Sequence, residues 1–385
     1  MTARWFRLSW QLPGDPGMLA RTCRRSLRLL LLIGLTAIST LRTSAQSPSD
    51  GSEAITASMQ RLSIQLPLAV AGRYRVRKAL EELNREPCDQ TAIVDLGKAL
   101  DQEGYRREAA TAHVSFSNKC GNHAPSLRAA TNILIKLSDY AGAVNIASKL
   151  IELEPFNDNG YYLRALANDR GALPKKAIDD YLTAIELFGD KSKIASASYD
   201  GLARNYEKLG QFCDAALSID TWVALNPGQH DTSQTRAMIS NYSAKGGCAA
   251  RASATREEVF PITRHNNVVT LPVMINGTRG ILILDTGATY VALKNAFAQK
   301  AKVEIEQDSS VRLNTANGLA EGKRGRAKII QLRSLQAKDV PIVIQTESRG
   351  MYGDGVDGLL GMSFLSRFHV TIGSNSVKLS PRTVQ

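Results

Sequence analysis

Residues 281–289 read ILILDTGAT: the apolar residues Ile281, Leu282, Ile283 and Leu284 run without a break into Asp285, Thr286, Gly287, Ala288 and Thr289. A short apolar run of this kind, rich in isoleucine and stopped by glycine, reads as a buried strand. Such a strand delivers a carboxylate at its end into a largely dry place, where the glycine lets other backbone pack closely beside it. Just upstream, Val273, Met274 and Ile275 lead into Asn276-Gly277, a pair that favours the positive φ angles of a type I′ turn. The two apolar runs therefore form a β-hairpin that ends on Asp285. Strand patterns continue downstream at residues 341–344 and 356–365, and a terminal hairpin runs through 370–372 and 377–379. Thr315, Ala316, Asn317 and Gly318 form a turn between two further strands. Residues 259–385 are an all-β unit.

The rest of the chain has a different period. From residue 56 to 245 the apolar pattern is helical, and it repeats. Ala109, Ala143, Ala177 and Ala215 recur at separations of 34, 34 and 38 residues. Twelve residues before each stands Gly97, Thr131, Ala165 or Ala203, and twelve after each stands Gly121, Pro155, Gly189 or Pro227. Small residues at those offsets let two antiparallel helices approach closely, and the Gly or Pro then ends the second helix. This 34-residue period resembles the tetratricopeptide repeat. The expected fold class is α + β and multidomain: an N-terminal helical solenoid of this type, then the β lobe. Polar residues 46–55 and residues 246–258 are read as linkers on either side of the repeats.

The formal charge of +12 does not mark a nucleic-acid binder, because residues 1–45 hold seven Arg, no Lys and one Asp, half of that excess. There Arg21, Arg24, Arg25 and Arg28 precede an apolar stretch, Leu29 to Ile38, followed by Thr43-Ser44-Ala45. A basic region, a short apolar core and small residues at a cut site make a signal peptide, with cleavage expected after Ala45 and Met18 as a second candidate start. The expected location is periplasmic or secreted. Four cysteines then remain: Cys88, Cys120, Cys213 and Cys248. In the repeat reading, Cys88 and Cys120 bracket the first hairpin at one end. Cys213 opens the second helix of the fourth repeat, and Cys248 follows a capping helix over residues 232–242. The expected disulfides are therefore Cys88–Cys120 and Cys213–Cys248. The five His show no metal-ligand spacing, so neither a metal nor another cofactor is expected.

An apolar strand entering Asp285-Thr286-Gly287-Ala288, a glycine-tipped hairpin at Asn317-Gly318, and the later run Asp357, Gly358, Leu359, Leu360, Gly361, Met362, Ser363, Phe364, Leu365 resemble the retropepsin-like aspartic proteases. That last run is most similar to their bacterial, exported branch. The resemblance implies that Asp285 is the catalytic aspartate, that Thr286 hydrogen-bonds across the base of the active site, and that Gly287 permits close backbone approach. Ala288 offers no hydroxyl to the carboxylate. It further implies that Asn317 and Gly318 lie at the tip of a flap over the substrate, and that Leu360 and Gly361 support the catalytic loop from behind. One lobe supplies one carboxylate, whereas the chemistry needs two. The second comes from Asp285 of another copy across a two-fold axis, with Asp357 of the same chain as the rival source. The implied partners are a peptide or protein substrate, a second copy of the chain, and a protein held by the repeats.

Three features invite other readings. Gly353, Gly355 and Gly358 fit G-x-G-x-x-G, but no strand–helix–strand unit surrounds them. Lys323, Arg324, Arg326 and Lys328 read as the solvated face of a flap strand. Asn276-Gly277-Thr278 fits a glycosylation sequon, yet a turn accounts for it. Two functions from different classes follow: an exported aspartic endopeptidase whose repeats select substrate, or a non-catalytic repeat scaffold whose protease-like lobe binds peptides.

Overall fold

In a computed structural model the described residues are 50–248, 252–254, 256–262, 269–315, 318–346 and 352–381. The expected signal segment, residues 1–45, and Asn317 lie outside the described residues. No helix among the described residues is long and apolar enough to cross a membrane.

The helical half follows the period. Three helices lead in: α1 (Asp50–Leu62), the short α2 (Leu68–Ala71) and α3 (Tyr74–Arg85). Four antiparallel pairs follow: α4 (Gln90–Gln102) with α5 (Arg106–Lys119), α6 (Ala124–Lys136) with α7 (Tyr140–Leu153), α8 (Asp158–Arg170) with α9 (Pro174–Leu187), and α10 (Ser196–Lys208) with α11 (Phe212–Leu225). Ala109, Ala143, Ala177 and Ala215 are fully buried, as are Thr131, Ala165 and Ala203 facing them. Local signals set the ends. The Asp89 carboxylate accepts the Thr91 and Ala92 N–H groups at 2.7 and 3.0 Å, and Asp139 accepts the Gly142 N–H at 3.0 Å. Pro174 opens α9, where its missing donor costs nothing. After α12 (Pro227–His230), α13 (Ser233–Gly246) caps the array; it runs past Tyr242 and stops at Gly247 in the left-handed region, φ 59°.

Both disulfides form as expected, Cys88–Cys120 and Cys213–Cys248, with Cα atoms 5.4 and 5.6 Å apart. The expected linker 46–55 is shorter than read, because α1 begins at Asp50 and buries Ser58 and Leu62. The amphipathic stripe of α1 starts inside a stretch whose polar composition hides it.

His113, on α5, is a core histidine with Nδ1 3.3 Å from Ser126 Oγ. Burial, with His123 adding, holds its imidazole down at about 4. The folded ring is neutral while the unfolded one takes a proton below about 6.5, so this stabilisation is complete above pH 6.5 and is lost as pH falls to 4. The loss expected from His113 over that window is about 3 kcal/mol, at about 1.4 kcal/mol per pKa unit. Urea unfolding of wild type against His113→Gln at pH 7 and 4.5 checks it; equal pH slopes in the two proteins would refute it.

The β half is a sheet closed on itself. Its strands are β1 (Ala252–Ala254), β2 (Glu258–Pro261), β3 (Thr270–Ile275), β4 (Thr278–Leu284), β5 (Val291–Lys294), β6 (Glu304–Ile305), β7 (Val311–Thr315), β8 (Gly318–Leu332), β9 (Leu335–Gln345), β10 (Gly358–Leu360), β11 (Phe368–Ile372) and β12 (Ser376–Pro381). The main order is β1-β9-β5-β10-β4-β3-β8-β6, and β8 also pairs β9, which closes the ring. Two short helices, α14 (Asn295–Lys300) and α15 (Met362–Leu365), pack on it, and β11-β12-β2 form a separate small sheet. The β3–β4 hairpin turns at Asn276 and Gly277 with φ 49° and 82°. The Asn276 side chain is committed to the fold: its amide donates to the Ala301 carbonyl at 3.0 Å and its oxygen accepts from the Ile329 N–H at 3.1 Å.

The two halves are not joined as beads on a linker. Residues 252–254, inside the stretch read as linker, form β1 and extend the main sheet along β9. One apolar cluster combines Tyr181, Tyr199, Leu202 and Tyr206 of the helices with Ala292, Val311, Leu313 and Val343 of the strands. The basic run on β8 is likewise not a solvated face. Arg324 is buried and its Nε donates to Asp179 Oδ1 at 2.6 Å, while Arg326 pairs with Asp214 at 2.5 Å. Burial raises the Asp179 carboxyl to about 6, against the pull of Arg324 beside it. Lys323 and Lys328 alone match the expectation, held by Gln307 and by the exposed Glu304.

Candidate active site

Strand β4 ends at Leu284, and the chain then turns through Asp285 to Thr289 before β5 begins. Strand β10 lies parallel to β4, with Leu360 opposite Leu284, and the Leu360 carbonyl accepts the Asp285 N–H at 3.1 Å. Leu360 is fully buried. A Cβ on Gly361 would fall well inside contact distance of the Tyr290 and Ala288 carbonyl oxygens, so only glycine lets this segment slide under the loop. Met362 and Ser363 then donate their N–H groups to the Ala288 and Thr289 carbonyls at 2.9 and 3.0 Å. Ser363 Oγ accepts the Val291 N–H at 2.9 Å. Leu360 and Gly361 thus lie behind the loop, and α15 adds to that packing.

On the loop itself the Gly287 N–H donates to Asp285 Oδ1 at 2.8 Å. Among the described residues Asp285 Oδ2 carries no side-chain hydrogen bond, which leaves it available. Asp285 is half-buried, Thr286 and Gly287 are exposed, and Ala288 is buried. The flap of the sequence reading is the β7–β8 hairpin, closed by Thr315 opposite Gly318, and Gly318 adopts φ 106°.

Asp357 is not brought to Asp285. Its N–H donates to the Ile281 carbonyl at 2.7 Å and its Oδ2 accepts the Ile281 N–H at 2.9 Å. Ile281 lies four strand residues before Asp285, about 13 Å along β4. Its role is to close the end of β10 onto β4. Gly353 and Gly355, at φ 82° and 75°, shape a turn that leads into strand β10, whereas a phosphate-binding glycine turn leads directly into a helix.

Two side chains that sequence reasoning did not single out reach the loop from the helices. Lys191 Nζ donates to the Gly287 carbonyl at 2.5 Å and pairs with Glu186 at 3.2 Å. Glu186 Oε2 accepts the Thr289 N–H at 3.3 Å. Tyr352, half-buried in the segment that leads into β10, carries a phenol whose pKa is pushed up by burial, with the Glu186 and Asp285 carboxylates adding, so it stays neutral. The one sequence signal pointing toward Lys191 is the third repeat interval, 38 residues instead of 34.

Comparison with known proteins divides along the same lines. Three solved structures illustrate the similarity. A retropepsin-like aspartic protease from Rickettsia conorii is 20% identical over 32% of this chain and 98% of its own, with TM-score 0.27. MamA from Desulfovibrio magneticus RS-1 is 20% identical over 47% of this chain and 97% of its own, TM-score 0.35. The thermophilic TPR protein TTC0263 from Thermus thermophilus is 15% identical over 50% and 99%, TM-score 0.33. No curated protein matches the chain. Residues 271–367 match the family described as "gag-polyprotein putative aspartyl protease", and that span, which lies within the β half, holds Asp285, strands β7 and β8 and the Gly358–Gly361 segment.

Proposed function

We propose that the chain is an exported aspartic endopeptidase that works as a homodimer, each copy contributing Asp285. The observation that carries this reading is the state of the loop. Asp285 is fixed at Oδ1 by the Gly287 N–H and, among the described residues, has no side-chain partner at Oδ2, on a surface where Thr286 and Gly287 are exposed. An exposed loop bearing half of a two-carboxylate site fits self-association about a two-fold axis. The commitment of Asp357 to the Ile281 backbone favours a second copy over an intrachain partner.

In this mechanism the two Asp285 carboxyls share one proton, since two anions at such short range are not both stable. The ionised carboxylate takes a proton from water as the water oxygen attacks the scissile carbonyl carbon. The protonated carboxyl gives its proton to the carbonyl oxygen, forming a tetrahedral diol. As the C–N bond breaks, the carboxyl that took the proton from water gives it to the leaving nitrogen and a diol hydroxyl gives its proton to the other carboxylate, so the amine and the acid are released and the pair again shares one proton. The β7–β8 hairpin covers the peptide. The paired cysteines support an oxidising compartment, in keeping with the expected signal segment. The repeats offer a surface for substrate proteins or partners.

Incubation of the purified chain with a peptide library, with new termini read by mass spectrometry, tests this. Cleavage between residues of extended peptides is expected. Peptide binding without any cleavage would instead establish the scaffold reading.

A further inference from the structure

The connector between α9 and α10 is where the helical array departs from its period. Residues 188–195 join those helices, whereas residues 120–123 and 154–157 join the preceding repeats. The extra length forms a single 3₁₀ turn, Lys191–Lys193, and that turn touches the Asp285 loop. Lys191 bridges the Gly287 carbonyl and the Glu186 carboxylate, and Glu186, on the last turn of α9, also accepts the Thr289 N–H. Both side chains are largely withdrawn from water, at 14% and 11% exposure.

The β lobe holds this loop from one side only. Met362 and Ser363 engage the carbonyls of Ala288 and Thr289, but among the described residues nothing from the sheet engages the Gly287 carbonyl or the Thr289 N–H. Those two groups are the ones the helical turn takes. Gly287 is also the residue whose N–H donates to Asp285 Oδ1, so holding its carbonyl steadies the residue that orients the carboxylate. A withdrawn ion pair gains little net stability, because desolvation offsets its attraction; what it supplies is geometry.

We propose that Glu186 and Lys191 are positioning residues for Asp285, so that the helical repeat array completes the active site of its own chain. This rests on the peptidase reading. The repeats then act on the chemical step as well as on partner choice, and displacement of the α9–α10 turn by a ligand of the repeats would change turnover.

The test uses the full-length chain and a peptide that it cleaves. Lys191→Met and Glu186→Gln are each expected to lower kcat by about 100-fold, the effect of a misplacement on the order of 1 Å. KM should stay within about two-fold, because the substrate-covering elements are untouched. The double variant should be no worse than Lys191→Met alone, since the two side chains act as one unit. Lys191→Arg keeps a cation able to reach both acceptors and should restore most of kcat. Unchanged kcat in both single variants, alongside Asp285-dependent cleavage by wild type, overturns this inference alone. A kcat loss that tracks a fall in thermal midpoint, with no rescue by Lys191→Arg, also overturns it and leaves the bridge merely structural. A wild-type chain without Asp285-dependent cleavage overturns the peptidase reading and this inference with it.

Discussion

Asp285→Asn is expected to lower kcat/KM for peptide cleavage by about 10⁴-fold or more, the scale seen when a residue that handles the proton of attack is removed from a cooperating set. The substitution changes chemistry and leaves shape alone. The asparagine side-chain oxygen still accepts the Gly287 N–H now held at 2.8 Å, and the Leu360 carbonyl still receives the backbone N–H of residue 285. The half-buried site needs no repacking. What the amide cannot do is accept a proton from water, or share one with its counterpart across the two-fold axis. Peptide affinity should therefore persist while turnover disappears, and the thermal midpoint should match wild type. Assaying kcat/KM and thermal unfolding side by side checks both halves. A variant that keeps turnover would remove Asp285 from the chemistry, and one that fails to fold would make its role structural.

Deleting residues 50–246 is expected to leave residues 252–381 without a cooperative fold. The sequence suggests a separable recognition module whose loss would spare cleavage of short generic peptides. The interface argues otherwise. Val311, Leu313, Ala292 and Val343 find their apolar neighbours among Tyr181, Tyr199, Leu202 and Tyr206 of the helices. Arg324 and Arg326 lose Asp179 and Asp214, and the Ser310 and Arg312 N–H groups lose the Asp179 carboxylate and Thr183 hydroxyl that accept them at 3.2 and 3.1 Å. The apolar faces of those strands would then meet water at a cost of about 25 cal/mol per Å², against a whole stability of roughly 5–15 kcal/mol for a small domain. Far-UV circular dichroism during heating reports the outcome; a sharp transition from the isolated lobe would show that it folds alone.

Local signals carried most of the architecture. Asn276-Gly277 needs only its neighbours to make a turn, and the small residues at Ala109, Ala143, Ala177 and Ala215 announce close helix packing by their spacing alone. The disulfides followed once the hairpins were known, because each pair brackets one end of a repeat unit. Asp285 stood out as a carboxylate at the end of an apolar strand, whereas Leu360 and Gly361 were singled out only through the family resemblance. The interface was not legible. The charge of Arg324 looks solvated until Asp179 is known to lie against it, and those residues are 145 positions apart. Nor could β1 be read from three small residues, whose strand conformation comes from pairing with β9. The interval of 38 between Ala177 and Ala215 was visible, but only the folded chain shows that its surplus places Lys191 on the Gly287 carbonyl.

Mixing experiments test most directly whether two Asp285 carboxylates make one active site. Wild-type chains are combined with increasing amounts of Asp285→Asn chains at fixed wild-type concentration, allowed to exchange, and assayed on a cleavable peptide. The proposed two-fold arrangement predicts that activity falls as mixed dimers form, and that wild type alone loses specific activity on dilution as dimers dissociate. Activity that is indifferent both to added Asp285→Asn chains and to dilution would contradict it, and would place the second catalytic group within the same chain.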